Sequence, residues 1–228
     1  FENYGVISWD LMIERTNSDL ANVLGNLVNR TISMTNKYFG GVVNNTNVKE
    51  AVDEDLIKVV TECKSKVEAK MDKLRVADAI TEIFTLFKRC NKYVDETEPW
   101  VLGKDESKQD RLATVLYNLV EGITIGACLL EPFMPETTEK ILAQLNAPKR
   151  TYEELDTFGL YPAGKKVTEK PEILFARLDI KEVMEKVEEI KKEEVEKATT
   201  AEEKKEEAPV IEIEAKPEIT FDDFMKMQ

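Results

Sequence analysis

Between Val115 and Leu130 the chain reads VLYNLVEGITIGACLL, apolar nearly all round rather than along one stripe. A helix that is apolar on every side has to be enclosed by other elements. This stretch is therefore expected to be the most buried element of the fold, and the rest of the chain is what surrounds it. The helix is predicted to begin near Lys108, after the polar turn Gly103–Ser107, and Pro132 ends it.

The surroundings read as helices too. From Ser18 to Phe39, Leu20, Val23, Leu24, Leu27, Val28 and Ile32 recur at helical spacing, with Ser18 and Asp19 as N-cap and first-turn residues and Gly40-Gly41 as a stop. A short helix over 7–16 is expected to lead into it. A polar loop (Val42 to Val48) precedes a second helix from about Asp53 to Met71. A third runs from about Val76 to Tyr93, with Ala79, Ile80, Ile83, Phe84, Phe87 and Cys90 on one side, and stops before Pro99. After the central fourth helix, a fifth is expected from about Pro135 to Leu145, with proline at its first turn. No useful β-alternation appears before residue 160. The fold class is all-α: an antiparallel helix bundle over 1–147.

Beyond that the pattern changes. From 148 to 179, Gly159, Pro162, Gly164 and Pro171 punctuate an irregular extension in which Ile173-Leu174-Phe175 either pairs as a short strand or docks on a surface. The stretch 180–216 is a Glu/Lys-rich linker. Val183, Met184, Val187 and Ile190 give it an apolar side in its first half, and past Val195 it is a solvated helix or disordered. The last residues, 217–228, recover β character and read as the truncated start of a further domain.

Composition restricts the chemistry. The 228 residues contain no histidine, which removes the commonest general base and the usual zinc ligand. Cys63, Cys90 and Cys128 are scattered and odd in number, fitting neither a disulfide framework nor a zinc site. They are read as small packing residues of a protein kept in a reducing cytoplasm. No catalytic residue and no metal ligand is expected. No run of 18 apolar residues and no signal peptide is seen, so no membrane is expected. The net charge of −13 is uneven: residues 1–178 carry −5 and residues 179–228 carry −8. The bundle is only mildly acidic, which leaves room for a local basic face.

Two features stand out as binding candidates. Asn22, Asn26 and Arg30 are spaced by four on the first long helix, so each step drifts by only about 40° and the three share one face. They are either an ordinary polar face or a set of amide and guanidinium groups suited to the edges of unpaired bases. Trp100 follows Pro99, whose rigid backbone allows the indole either to plug the end of the bundle or to face outward as a stacking platform. Trp9 is read as a packing residue at a helix entry. Lys88, Arg89, Lys92, Lys104 and Arg111 lie nearby in sequence as candidate phosphate contacts.

Four strings then carry a resemblance. ERTNSDLANVLGNLVNRT (14–31) followed by Asn36 to Phe39, NKYVDETEPW (91–100), LEPFMP (130–135) and KPEILFARLD (170–179) occur in that order. They resemble the anticodon-binding domain of bacterial methionyl-tRNA synthetases, NKYVDETEPW matching the family's Asn-x-Tyr-x-Asp-x-x-x-Pro-Trp signature. ITFDDF (219–224) is similar, more weakly, to the entry of the OB-type tRNA-binding domain appended in many members.

The resemblance implies a class I synthetase helix bundle in which Asn22, Asn26, Arg30 and Trp100, with Pro99 fixing the backbone, read the CAU anticodon of methionine and initiator tRNA. It implies that 170–179 returns towards the enzyme's own catalytic domain. The family's His-Ile-Gly-His and Lys-Met-Ser-Lys-Ser motifs and its zinc knuckle are absent. The chain also lacks an initiator Met, so the catalytic domain is expected upstream of Phe1. No cofactor is implied in this part; ATP, and zinc where the knuckle occurs, belong to the catalytic domain. A homodimer through a C-terminal domain stays open. The rival readings are the anticodon domain of another class I synthetase and a helical protein-interaction module without nucleic acid.

Overall fold

The computed structural model describes residues 8–192 and divides the chain into two compact units, Phe1–Ile180 and Lys181–Gln228. In the second unit residues 181–192 are helical. The expectations for the linker past Val195 and for a β stub over 217–228 lie outside the described residues, as does the start of the predicted 7–16 helix.

In the first unit the central element is as expected. Helix α6, Gln109–Leu130, has every residue from Arg111 to Leu130 buried. Glu106–Leu130 is in fact long and apolar enough to cross a membrane by composition, and its most apolar window is wholly enclosed by the protein. Counting strictly uninterrupted apolar residues overlooks this, because Asn118, Glu121 and Thr124 break the run. Around α6 pack α3 (Ala51–Met71), α4 (Val76–Thr97) and α7 (Pro135–Leu145). Helix α3 begins slightly earlier than predicted because Glu50 and Asp53 form a reciprocal capping box. Helix α4 runs past Tyr93 to Thr97 and stops where Glu98 turns left-handed, at φ 41°.

The largest departure is at the beginning. Ser18 caps nothing. The cap is Ser8, whose hydroxyl accepts from the Leu11 N–H at 3.2 Å. From there the helix is unbroken: α1 (Trp9–Arg15), a π-helical stretch (Thr16–Gly25) and α2 (Asn26–Phe39), closed by Gly40 in the left-handed conformation. Trp9 is not a packing residue either. It is 44% exposed.

The three cysteines are buried among the helices, and burial pushes the thiols of Cys63 and Cys90 up to about 12. The irregular extension is tied down by the one acidic residue of the apolar stretch. Glu121, 0% exposed, accepts from the backbone amides of Gly159, Leu160 and Tyr161 and pairs with Arg150 at 2.5 Å. An isolated buried carboxylate is costly, and one with both oxygens hydrogen-bonded is an anchor. Among the described residues Ile173-Leu174-Phe175 forms no strand: Leu174 and Phe175 dock against the core and Ile173 points to solvent.

A second buried ion pair ties α3 to α6 and α4. Arg111 grips Asp53 bidentately, at 2.7 and 2.8 Å, and the Tyr93 hydroxyl donates to the same carboxylate at 2.6 Å. Burial pushes the Asp53 carboxyl up, but the hydrogen bonds from Arg111, Tyr93 and the Glu50 amide outweigh it and hold the group below the usual carboxylate range.

Candidate nucleic-acid interface

At the end of α4 the chain reverses. Glu98 is left-handed, Pro99 is buried at the first position of the short helix α5 (Pro99–Leu102), and Trp100 follows it, 37% exposed. Proline suits that position because its fixed φ is already helical and the N–H it lacks has no helical partner there. The turn is then pressed onto α2. A Cβ on Gly103 would collide with the ring of Tyr38, so only glycine lets α5 come this close. The Lys37 ammonium lies 5.0 Å from the same ring centroid. The indole of Trp100 is thus carried by a short helix fixed at both ends, by Pro99 and by the Gly103–Tyr38 contact.

Two turns before Tyr38, Arg30 lies over that indole, with its guanidinium carbon 5.8 Å from the ring centroid. This is cation–π distance. Among the described residues its one ionic neighbour is Asp95, at 4.0 Å, and about a third of its side chain is open to solvent. Trp100 does not plug the bundle. It stands at the surface beside Arg30, and both keep area available to a ligand.

Asn22 and Asn26 are exposed on the same long helix. The even 40° drift expected between them does not apply, because Asn22 lies in the π stretch, whose turns are wider. The Asn26 N–H bonds back to Ala21, which closes the last π turn, so the stripe crosses the junction between two helix types. The junction is braced from α4: the Asn91 amide donates to the Val23 carbonyl at 3.0 Å and to the Phe87 carbonyl at 3.1 Å. Asn26 has no side-chain partner among the described residues, whereas the Asn22 oxygen accepts from Arg177 at 2.5 Å.

Of the candidate phosphate contacts, Lys88, Lys92 and Lys104 are exposed. Lys88 lies 3.7 Å from Asp19 and Lys92 3.5 Å from Glu96, loose surface pairs that a phosphate can replace. Arg89 is a correction. It is 8% exposed, bonded to Asp55 at 2.7 Å and to Glu96 at 2.9 Å, and reaches the Val52 carbonyl. It staples α4 to α3 and is buried out of reach of a phosphate. Arg111 is withdrawn in the same way by Asp53. Asn17, Asn91 and Arg177, which contact or brace the stripe, were not singled out by sequence. All three belong to matched strings, but nothing in spacing shows that Asn91 and Arg177 meet the first helix.

The sequence pattern of the family described as the anticodon binding domain of methionyl tRNA ligase matches residues 43–195. A methionine-tRNA ligase of Clostridium perfringens is 43% identical over 227 residues, all of this chain and 34% of that protein. One from Caldanaerobacter subterraneus subsp. tengcongensis is 46% identical over 226 residues, 98% of this chain and 33% of that protein. The chain thus spans about a third of the relatives it matches. Among solved structures, apo methionyl-tRNA synthetase of Mycobacterium tuberculosis superposes with a TM-score of 0.70 at 32% identity, over 76% of this chain and 35% of that one.

Proposed function

Since this chain belongs to the family of anticodon-binding domains of methionyl-tRNA ligase, we propose that its Trp100–Arg30 corner and the adjoining amides of Asn22 and Asn26 read the CAU anticodon of methionine tRNAs. The observation that carries this reading is the Arg30 guanidinium 5.8 Å from the Trp100 ring, with both groups partly open to solvent. An anticodon loop offers unstacked bases with free faces and free edges. The indole takes a face, and the guanidinium beside it donates to an edge and partly offsets the charge of the neighbouring phosphate. Pro99 and Gly103 keep the platform in place before the RNA arrives, which limits the ordering cost of binding. Lys88, Lys92 and Lys104 add phosphate contacts that do not depend on sequence.

The activity served is the ATP-dependent joining of methionine to tRNA, carried out by a catalytic domain elsewhere in the whole protein. The relatives' names support that assignment. ATP, and a zinc ion where a member has one, would bind that domain. This chain alone would form no methionyl-adenylate. The setting is the cytoplasm, where tRNA is charged.

The experiment is fluorescence or calorimetric titration of the chain with an anticodon stem-loop bearing CAU, against one with the first anticodon base changed. The CAU loop should bind at least tenfold more tightly, and Trp100→Ala should abolish most of the difference, as loss of a stacked base implies. Equal binding of the two loops refutes specific reading. A helical protein-docking module would bind neither loop and would be insensitive to salt.

A further inference from the structure

Segment 170–179 crosses the first long helix at its π stretch. Phe175 packs over Gly25, where a Cβ would stand 3.6 Å from its ring. Asn17 holds the next turn of backbone from both sides, its Nδ2 donating to the Leu178 carbonyl and its Oδ1 accepting from the Leu178 N–H, each at 2.9 Å. Between these fixings Arg177 reaches the helix, and its Nη2 donates to the Oδ1 of Asn22 at 2.5 Å.

A guanidinium has donors only, so it can meet a side-chain amide only at the oxygen. That decides which way the Asn22 amide faces. Free, the amide would turn either end to a ligand. With Oδ1 held by Arg177, the Nδ2 group is left to face outward. A base edge placed there is recognised through an acceptor, such as the ring nitrogen or carbonyl oxygen of a pyrimidine.

We infer that Arg177 is a positioning residue for anticodon reading: it orients Asn22 as a hydrogen-bond donor towards the base, and Asn17 and Phe175 hold Arg177 where it does so. The inference rests on the anticodon reading proposed above. Arg177 and Asn22 are 155 positions apart, so the strap makes the specificity of the first helix depend on the far end of the domain.

The test uses the 228-residue chain and a set of stem-loops: CAU, three single-base variants and one scrambled anticodon. Arg177→Met should weaken CAU binding about fivefold to tenfold, with little change on the scrambled loop, so discrimination falls with affinity. Asn22→Ala should do the same, and the double variant should be no worse than the poorer single one, because the two act through one group. Asn17→Ala, which loosens the strap without touching Asn22, should shift discrimination in the same direction. Two results overturn the inference. One is a loss from Arg177→Met that is equal on every loop and adds to that of Asn22→Ala, which marks a phosphate contact. The other is no loss from Arg177→Met while Trp100→Ala still weakens binding. If Trp100→Ala and Asn22→Ala both leave CAU binding unchanged, the anticodon reading itself is refuted and this inference with it.

Discussion

Arg111 and Arg30 sit on neighbouring helices of one bundle and are used in opposite ways. Arg111 is 6% exposed and engaged on all three nitrogens, with Asp53 on two of them, the Val48 carbonyl at 2.9 Å and Glu50 at 3.3 Å. Arg30 has one carboxylate at 4.0 Å and an indole face, and it keeps a third of its surface in water. The first arrangement is spent on partners inside the protein and is buried away from anything outside it. The second is unfinished as an intramolecular contact, which is the opening that the proposed anticodon contact would fill. An arginine in a helical domain therefore announces a binding site by what it lacks, more than by its charge.

Substitutions should separate the two regions. The largest effect is expected at the anchor of the extension: Glu121→Ala leaves Arg150 buried without its partner and frees three backbone amides. It should cost about 3–5 kcal/mol in urea unfolding, and an unchanged midpoint would remove Glu121 from the structural account. Asp53→Asn should cost slightly less, about 2–4 kcal/mol, and should also change the acid limb. The Asp53 carboxyl is held below its usual range in the folded protein, so its contribution is full above about pH 4 and is lost as pH falls through the folded value. The variant should show a shallower loss of stability below pH 4, and an identical acid limb would refute the linkage.

The binding region should respond the other way. Trp100→Ala should cost about 1–3 kcal/mol in stem-loop affinity while moving the urea midpoint little, and a large stability loss would mean the indole is structural. Arg30→Lys keeps the charge but loses the planar group over the indole, and should cost about 1 kcal/mol in affinity. The smallest effect is expected from Lys92→Gln, which should lower the slope of log affinity against log salt by about one unit or less, equally for every loop.

Much of this contrast was hidden at the level of sequence, for local reasons. The bundle was legible because α6 is apolar on all sides and because Gly40, Pro99, Pro132 and Pro135 punctuate the helices. The start of the first helix was misplaced because Ser18-Asp19 resembles the real cap, Ser8 with Asp10, and no periodicity distinguishes a π stretch from an α one. Arg89 was misjudged by its charge. Its position, three after Leu86 and four before Tyr93, already puts it on the apolar side of α4, whereas Lys88 and Lys92 lie on the other. The Trp100 and Arg30 pair was reachable only through the family resemblance, since 70 residues separate them in sequence. The strap through Arg177 was out of reach altogether, because its meeting with Asn22 depends on how Glu121 and Asn17 fold the extension back.

The π stretch from Thr16 to Gly25 has a consequence for length as well as for shape. Each of its bonds spans one residue more than an α-helical bond does, so it works as a phase adjuster between the amino-terminal turns and the part of the helix carrying Asn26 and Arg30. Deleting a single residue there would rewind the segment towards α geometry and change the angle between the turns upstream and the part carrying Arg30. Asn17 and Asn22 would turn away from the strap while Arg30 stayed at its indole. A one-residue change in this segment would thus act as a gear slipping one tooth, splitting the proposed reading surface into two halves that no longer face the same nucleotide.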